Sequence, residues 1–250
     1  MSYSNPVFVP GPTNLPESVR RAIDLPTIDH RSPAFAEALP KLFAGLKSIF
    51  ATKSPHIFVF PSTGTGGWEA TIANTLSPGD KVLACRHGVF SDKWIRMCEA
   101  FGLVVDVIEC DWRGPADPAL IEAALLADQN HAIKAVLATH NETATGVRSD
   151  LKAIRESIDR AEHNALFFVD GVSSIASMDF QMDAWGIDAA VTGSQKGFMM
   201  PAGLAIVAVS EKAIDAGKTA TLPRFFFDFK QMGQMTHQGG FPYTPPMQLL

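Results

Sequence analysis

Apolar residues along this chain of 250 residues cluster in short runs: IFVF at 57–60, KVLAC at 81–85, LVVDVI at 103–108, IKAVLAT at 133–139, ALFFVD at 165–170, IDAAVTG at 187–193 and LAIVAV at 204–209. Between them lie amphipathic stretches of helical spacing: a segment from about Trp68 to Leu76, SDKWIRMCEAF, PALIEAALLAD and SDLKAIRESIDRAEH. Strand-length apolar runs alternating with longer amphipathic segments predict an α/β fold, a mainly parallel sheet with helices on both faces. Ligands of such sheets lie beyond the carboxyl ends of the strands. Proline and glycine punctuate the start (NPVFVPGPTNLP, DHRSP), so residues 1–35 read as an extended arm leading into a helix near Pro33 to Phe50. Residues 36–250 then form one large domain. QGGFPYTPPMQLL ends at Leu250 as an apolar, helix-capable segment begins, which gives the expectation of a truncated chain. No internal repeat or low-complexity tract is visible.

With 46% hydrophobic residues the chain can bury a large core. Its net charge of -5, from 21 basic and 26 acidic residues without a basic run, offers neither a nucleic-acid face nor a membrane-surface patch. Small neutral or anionic metabolites remain as ligands. Cys85, Cys98 and Cys110 are odd in number and lack C-x-x-C spacing, which argues for free thiols rather than disulfides or structural zinc. His87 and His131 have no partner at metal-ligand spacing, so no metal site is expected. The N-terminus lacks the pattern of a signal peptide and no apolar run reaches membrane-spanning length, so a cytoplasmic protein is expected.

Candidate chemistry sits just after the strands. PSTGTGGWEA follows the first, and its Gly64, Thr65, Gly66 and Gly67 open a helix whose free N–H groups suit a phosphate. It is not a Walker loop, and Glu69 breaks G-x-G-x-x-G; a purely structural turn is the competing reading. Asp170 closes the run ALFFV, where a carboxylate needs a cation or donors unless it serves as a helix cap. Lys196, 26 residues later, stands in the nearly uncharged stretch VTGSQKGFMMPAG, where desolvation favours the neutral, nucleophilic amine. Cradle, carboxylate and amine match what pyridoxal phosphate requires for its phosphate, ring nitrogen and aldehyde.

VDGVSSIASMDFQMDAWGIDAAVTGSQKG, with PGPTN, DHRSP, PSTGTGGWEA and HNETATGV, strongly resembles class V pyridoxal-phosphate aminotransferases, in particular the serine-, alanine- and aspartate-glyoxylate group. The resemblance runs over nearly the whole chain. It implies the aspartate-aminotransferase-like (fold type I) large domain, pyridoxal 5'-phosphate as cofactor, and amino transfer from serine, alanine or aspartate to glyoxylate in two half-reactions. Lys196 is then the Schiff-base lysine, and Asp170 keeps the pyridine nitrogen protonated. Thr65, Gly66 and Gly67 hold the phosphate. Phe90 matches a stacking aromatic, although a core phenylalanine is the competing reading; Val172 lies under the ring; Gln195 and Thr143 approach its oxygen. His140 and Asn141 shape the Thr143 loop.

The resemblance also implies a homodimer with shared sites, in which Thr244 reaches the neighbour's phosphate. Phe241 falls where relatives carry a tyrosine, with Tyr243 two places on; if Phe241 holds that position, one phosphate hydrogen bond is lost or moved. The small domain, and the arginine that grips the substrate carboxylate in relatives, would lie beyond Leu250. Arg31 beside His30 reads as a surface or helix-start residue, and PRFFFDFK as packing against a further domain or subunit. A desulfurase or lyase of the same superfamily is the alternative chemistry; a cofactor-binding fragment or a doubly wound nucleotide-binding protein is the non-transaminase one.

Overall fold

The computed structural model describes residues 7–250. Its centre is a seven-stranded sheet built from β1 (Ile57–Ser62), β2 (Lys81–Arg86), β3 (Val104–Glu109), β4 (Ile133–Thr139), β7 (Leu166–Asp170), β8 (Ala189–Gly193) and β9 (Gly203–Val209), in the order β1-β9-β8-β7-β4-β2-β3. The apolar runs become these strands because most are covered on both faces: every residue of β7 and β8 is buried, as are six of the seven in β9. β2, β3, β4, β7 and β8 pair in parallel, and β9 runs antiparallel to both β8 and β1. Two reversals cancel, so β1 points the same way as β8. Six strands therefore end on one edge, and β9 alone starts there.

Helices cover the sheet. Ser32 caps α2 (Pro33–Phe50) by accepting from Phe35 N at 3.3 Å, and Pro33 presets the first turn. Asp117 and Asp150 cap α5 (Pro118–Ala127) and α6 (Leu151–Arg160) in the same manner. Between β1 and β2 runs α3 (Gly64–Thr75), and between β2 and β3 runs α4 (Val89–Ala100). The two meet through Trp68 and Trp94, both buried and stacked with centroids 5.6 Å apart.

The structure departs from expectation in three places. α4 begins at Val89, ahead of SDKWIRMCEAF, which puts Phe90 in its first turn, whereas α3 begins at Gly64, with the glycine turn that opens it. The arm is not wholly extended, since Glu17–Ile23 forms α1, braced by Arg20 and Arg21 on Glu17. The loop HNETATG contains a small hairpin, β5 (Asn141–Glu142) against β6 (Val147–Arg148), turned at Gly146 with φ +73°. Two further helices, α7 (Glu211–Gly217) and α8 (Phe229–His237), follow β9.

α3 presses its glycine face on the sheet. A Cβ at Gly67 would lie 2.5 Å from Val191 Cγ1 and 3.4 Å from Val207 Cγ2. Gly67→Ala is therefore expected to lower stability by about 1–3 kcal/mol, read as a lower urea midpoint at unchanged slope. Gly45→Ala, on an open face of α2 with nothing within 4 Å, should instead raise it by up to about 1 kcal/mol. Equal midpoints for the two variants would refute this packing of α3.

Candidate active site

The edge where six strands end collects the chemistry. Behind β1, Thr63 is the N-cap of α3 but its side chain makes no capping bond, and the first intrahelical donor is Gly67 N, to Thr63 O at 3.2 Å. The amides of Gly64, Thr65 and Gly66 are thus free of intrahelical acceptors and carry the positive end of the helix dipole. Thr65 is exposed there, and Gly64 packs so tightly on Val172 that a Cβ would lie 2.3 Å from its Cγ2. An anion fits this opening.

Asp170, the last residue of β7, is 4% exposed. Burial, more than any other cause, pushes its carboxyl up to about 7; the neighbouring carboxylate of Glu142 adds to the rise. The Val172 amide, donating to Oδ1 at 2.9 Å, the Trp68 indole N–H and the ammonium of Lys196 pull the other way. Trp68 Nε1 falls short of hydrogen-bond geometry and has no other partner among the described residues, so its pull is that of a nearby dipole. Asp170 pairs with Val191 across the β7–β8 ladder, and Lys196 follows three residues after the end of β8. Burial of Lys196 lowers its pKa, and Asp170 partly opposes that. Next to it, Gln195 Oε1 is buried and unbonded among the described residues.

Phe90 and Thr143 follow β2 and β4, which end on the same edge. Phe90 is half-buried in the first turn of α4, and Lys93 Nζ lies 5.2 Å from its ring centroid. Glu142 Oε2 holds that turn, accepting from Phe90 N and Ser91 N at 3.0 Å each. Thr143 follows, half-buried. His140 Nδ1 bonds Ser174 Oγ at 2.9 Å, and Asn141 Nδ2 donates to Ser173 Oγ at 2.9 Å, so the two tie the hairpin to the turn after Asp170. Desolvation takes His140 down to about 4, which leaves it neutral. His87 is fully buried with neither ring nitrogen bonded among the described residues.

The end of the chain separates the two aromatic residues in question. Phe241 is buried against Phe35 of α2, ring centroids 6.0 Å apart, whereas the Tyr243 hydroxyl meets Phe225 O and Gln231 Oε1 at 2.9 Å each. Thr244 is exposed. PRFFFDFK divides: Phe229 stacks on Phe58 at 4.3 Å and Phe227 packs edge-on to Phe60, both within this chain, while Phe225 is 79% exposed. Packing against a further domain or subunit therefore describes at most part of that stretch. Arg31 is exposed, directly before the cap Ser32. All three cysteines are free, Cys85 and Cys98 buried and Cys110 half-buried. Among the described residues no three potential ligands gather for a metal, and no helix is long and apolar enough to cross a membrane.

The family model for Aminotransferase class-V matches residues 20–241. This chain belongs to the class-V aminotransferases. It is 57% identical over 250 residues to L-aspartate--glyoxylate aminotransferase of Paracoccus denitrificans, covering 100% of this chain and 63% of that protein. It is 51% identical over 253 residues to serine--glyoxylate aminotransferase of Hyphomicrobium methylovorum, covering 100% and 62%. Among solved structures it is similar to alanine--glyoxylate aminotransferase from Nostoc sp., with TM-score 0.89 and 29% identity over 96% of this chain and 63% of that one. The chain thus spans a little under two thirds of the length of these relatives.

Class-V aminotransferases use pyridoxal 5'-phosphate, and the residues present fit it. The uncapped start of α3 suits the phosphate, the buried carboxyl of Asp170 has no cation beyond Lys196 among the described residues, and the Lys196 amine is partly desolvated. Two contributors escaped the sequence reading, Trp68 and Glu142. Trp68 follows Gly64 by four positions, hence on the same helical face; Glu142 stands in the polar loop HNETATG, where nothing local marks it.

Because the raised carboxyl pKa favours the protonated form in the folded state, Asp170 contributes stability that is full below about pH 4 and is lost as pH rises towards 7. Asp170→Asn stays neutral throughout. In cofactor-free protein the stability advantage of Asp170→Asn should widen by about 2–3 kcal/mol between pH 5 and pH 8. Urea titrations that run parallel for the two proteins over that range would show that the carboxyl is not buried uncharged.

Proposed function

We propose that this protein moves an amino group from a small L-amino acid, serine, alanine or aspartate, to glyoxylate. The observation that carries the proposal is the meeting of Asp170 and Lys196 at the ends of adjacent strands β7 and β8, beside the open start of α3. The names of the relatives, two of them aspartate- and serine-glyoxylate aminotransferases, support the choice of substrates.

Pyridoxal phosphate, when bound, supplies an electron-accepting ring that stabilises negative charge at the amino-acid α-carbon. The chain does the rest. The α3 amides and Thr65 would bind the phosphate, and Phe90 and Val172 would hold the ring. Asp170, starved of water and of cations, would pass its proton to the ring nitrogen and, as the resulting carboxylate, hold it there by ion pairing. Lys196 Nζ, whose neutral form is favoured by burial, takes the proton from the substrate α-carbon and returns it on the other side of the exchange. The side-chain amide N–H of Gln195 and the hydroxyl of Thr143 would orient the ring oxygen by donating to it.

The same reading makes the working unit a homodimer in the cytoplasm. Thr244 then meets the neighbour's phosphate, and the Tyr243 hydroxyl would have to leave Phe225 O and Gln231 Oε1 to join it, since Phe241 is committed to its own core. A desulfurase finds no specific support here: Phe90 offers a ring without the acid–base nitrogen of a histidine.

Incubation with pyridoxal phosphate followed by borohydride should leave the cofactor attached to the peptide carrying Lys196, and Lys196→Ala should abolish that attachment. Glyoxylate with serine, alanine or aspartate should then yield glycine with at least one donor. Attachment without glycine from any of the three leaves the cofactor reading standing and ends the substrate assignment.

A further inference from the structure

The N-terminal arm lies on the reactive lysine. Thr13 N donates to Gln195 O at 3.2 Å, and Thr13 Oγ1 donates to Lys196 O at 3.4 Å. Two residues earlier the contact is closer still. A Cβ at Gly11 would stand 2.4 Å from Lys196 Cδ, 3.0 Å from Lys196 Cε and 2.8 Å from Gln195 O. Gly11 has φ +156°, which other residues rarely adopt. Only hydrogen at that position lets the backbone of the arm touch the methylene stem of the lysine.

We propose that residues 11–13 of the arm are positioning residues that clamp the stem and backbone of Lys196, aiming its amine at the Asp170 edge and keeping water from one side of it. The clamp follows from ordinary chemistry. A lysine stem has four rotatable bonds, so an unsupported ammonium swings widely and stays hydrated. The arm covers carbon atoms near the amine and fixes the two peptide units that carry it, which costs it nothing in charge: PGPTN at 10–14 contains no ionisable side chain. Of the charged groups, Asp170 from β7 acts on Lys196 directly, and Glu142 acts on Asp170 in turn. With both fixed in the sheet and its adjoining turn, the arm is the piece of the surroundings that can change the hydration of the amine by moving.

This inference rests on Lys196 being the cofactor lysine, but its test does not. In cofactor-free protein, the labelling of Lys196 by formaldehyde and cyanoborohydride is followed against pH by peptide mass spectrometry. The wild-type midpoint should lie below that of the surface lysine Lys152. Gly11→Ala pushes the arm off the stem, so its midpoint should move upward, towards Lys152, while Gly45→Ala leaves it unchanged. Should Gly11→Ala fail to fold, Thr13→Val, which deletes one hydroxyl bond, should shift the midpoint in the same direction and Thr13→Ser should restore it. Folded variants whose midpoints match wild type, or a wild-type midpoint equal to that of Lys152, overturn the clamp. A shifted midpoint in a protein that retains no cofactor on Lys196 after borohydride upholds the clamp and removes the proposed function instead.

Discussion

A carboxyl group forced out of water governs this molecule. Asp170 terminates a strand whose five residues are all buried, and it receives a single backbone hydrogen bond, from Val172. A carboxylate so placed is unstable unless a cation comes to it. Lys196 only partly answers, because burial weakens its own charge as well. Burial holds each group away from its ordinary ionisation state, and each partly draws the other back towards it. That shared desolvation is the resource on which the proposed function draws: a cation brought to the carboxyl would relieve it, and an amine that stays neutral could attack and shuttle protons.

The geometry that brings the pair together comes from strand direction. Six of seven strands end on the same edge, so the turns after β1, β2, β4, β7 and β8 converge although they are scattered over more than 130 positions of sequence. The exception, β9, returns between β8 and β1, and in doing so it places the glycine turn of α3 one strand away from the strand that leads to Lys196. Were β9 parallel, the chain would need a crossover there, and the Lys196 loop would not be the short link SQKGFMMPA between adjacent strands.

Much of this was legible beforehand. The strands appeared as apolar runs with boundaries correct within a residue or two, and β4 matched its run throughout, because six of its seven residues are buried and only Lys134 reaches solvent. Asp170 and Lys196 stood out because charge is rare in such runs. Helix starts read less well. Glycine carries no hydrophobic signal, so the first turn of α3 merged with the loop before it, and the capping of α4 by Glu142 joins residues 51 or 52 positions apart, which no local pattern displays. The arm was visible only as punctuation; that its glycine touches Lys196 follows from packing across 185 positions, on which composition is silent.

Why Asp170, and not Glu142, should be the group in need of a cation follows from counting donors. Both are buried and lie close enough to repel. Glu142 accepts three backbone amides, from Phe90, Ser91 and Ala144, two of them at the positive end of α4. Charge-assisted bonds of this kind contribute roughly 1.5–3 kcal/mol each, enough to replace most of what water supplied. Asp170 has one such amide and an indole dipole that does not reach bonding geometry. The negative charge of Glu142 is therefore satisfied where it stands, and it acts on Asp170 as a fixed repulsive field. The pair divides the labour: one carboxylate secures the first turn of α4, and the other, denied donors and pressed by its neighbour, is left in need of a cation.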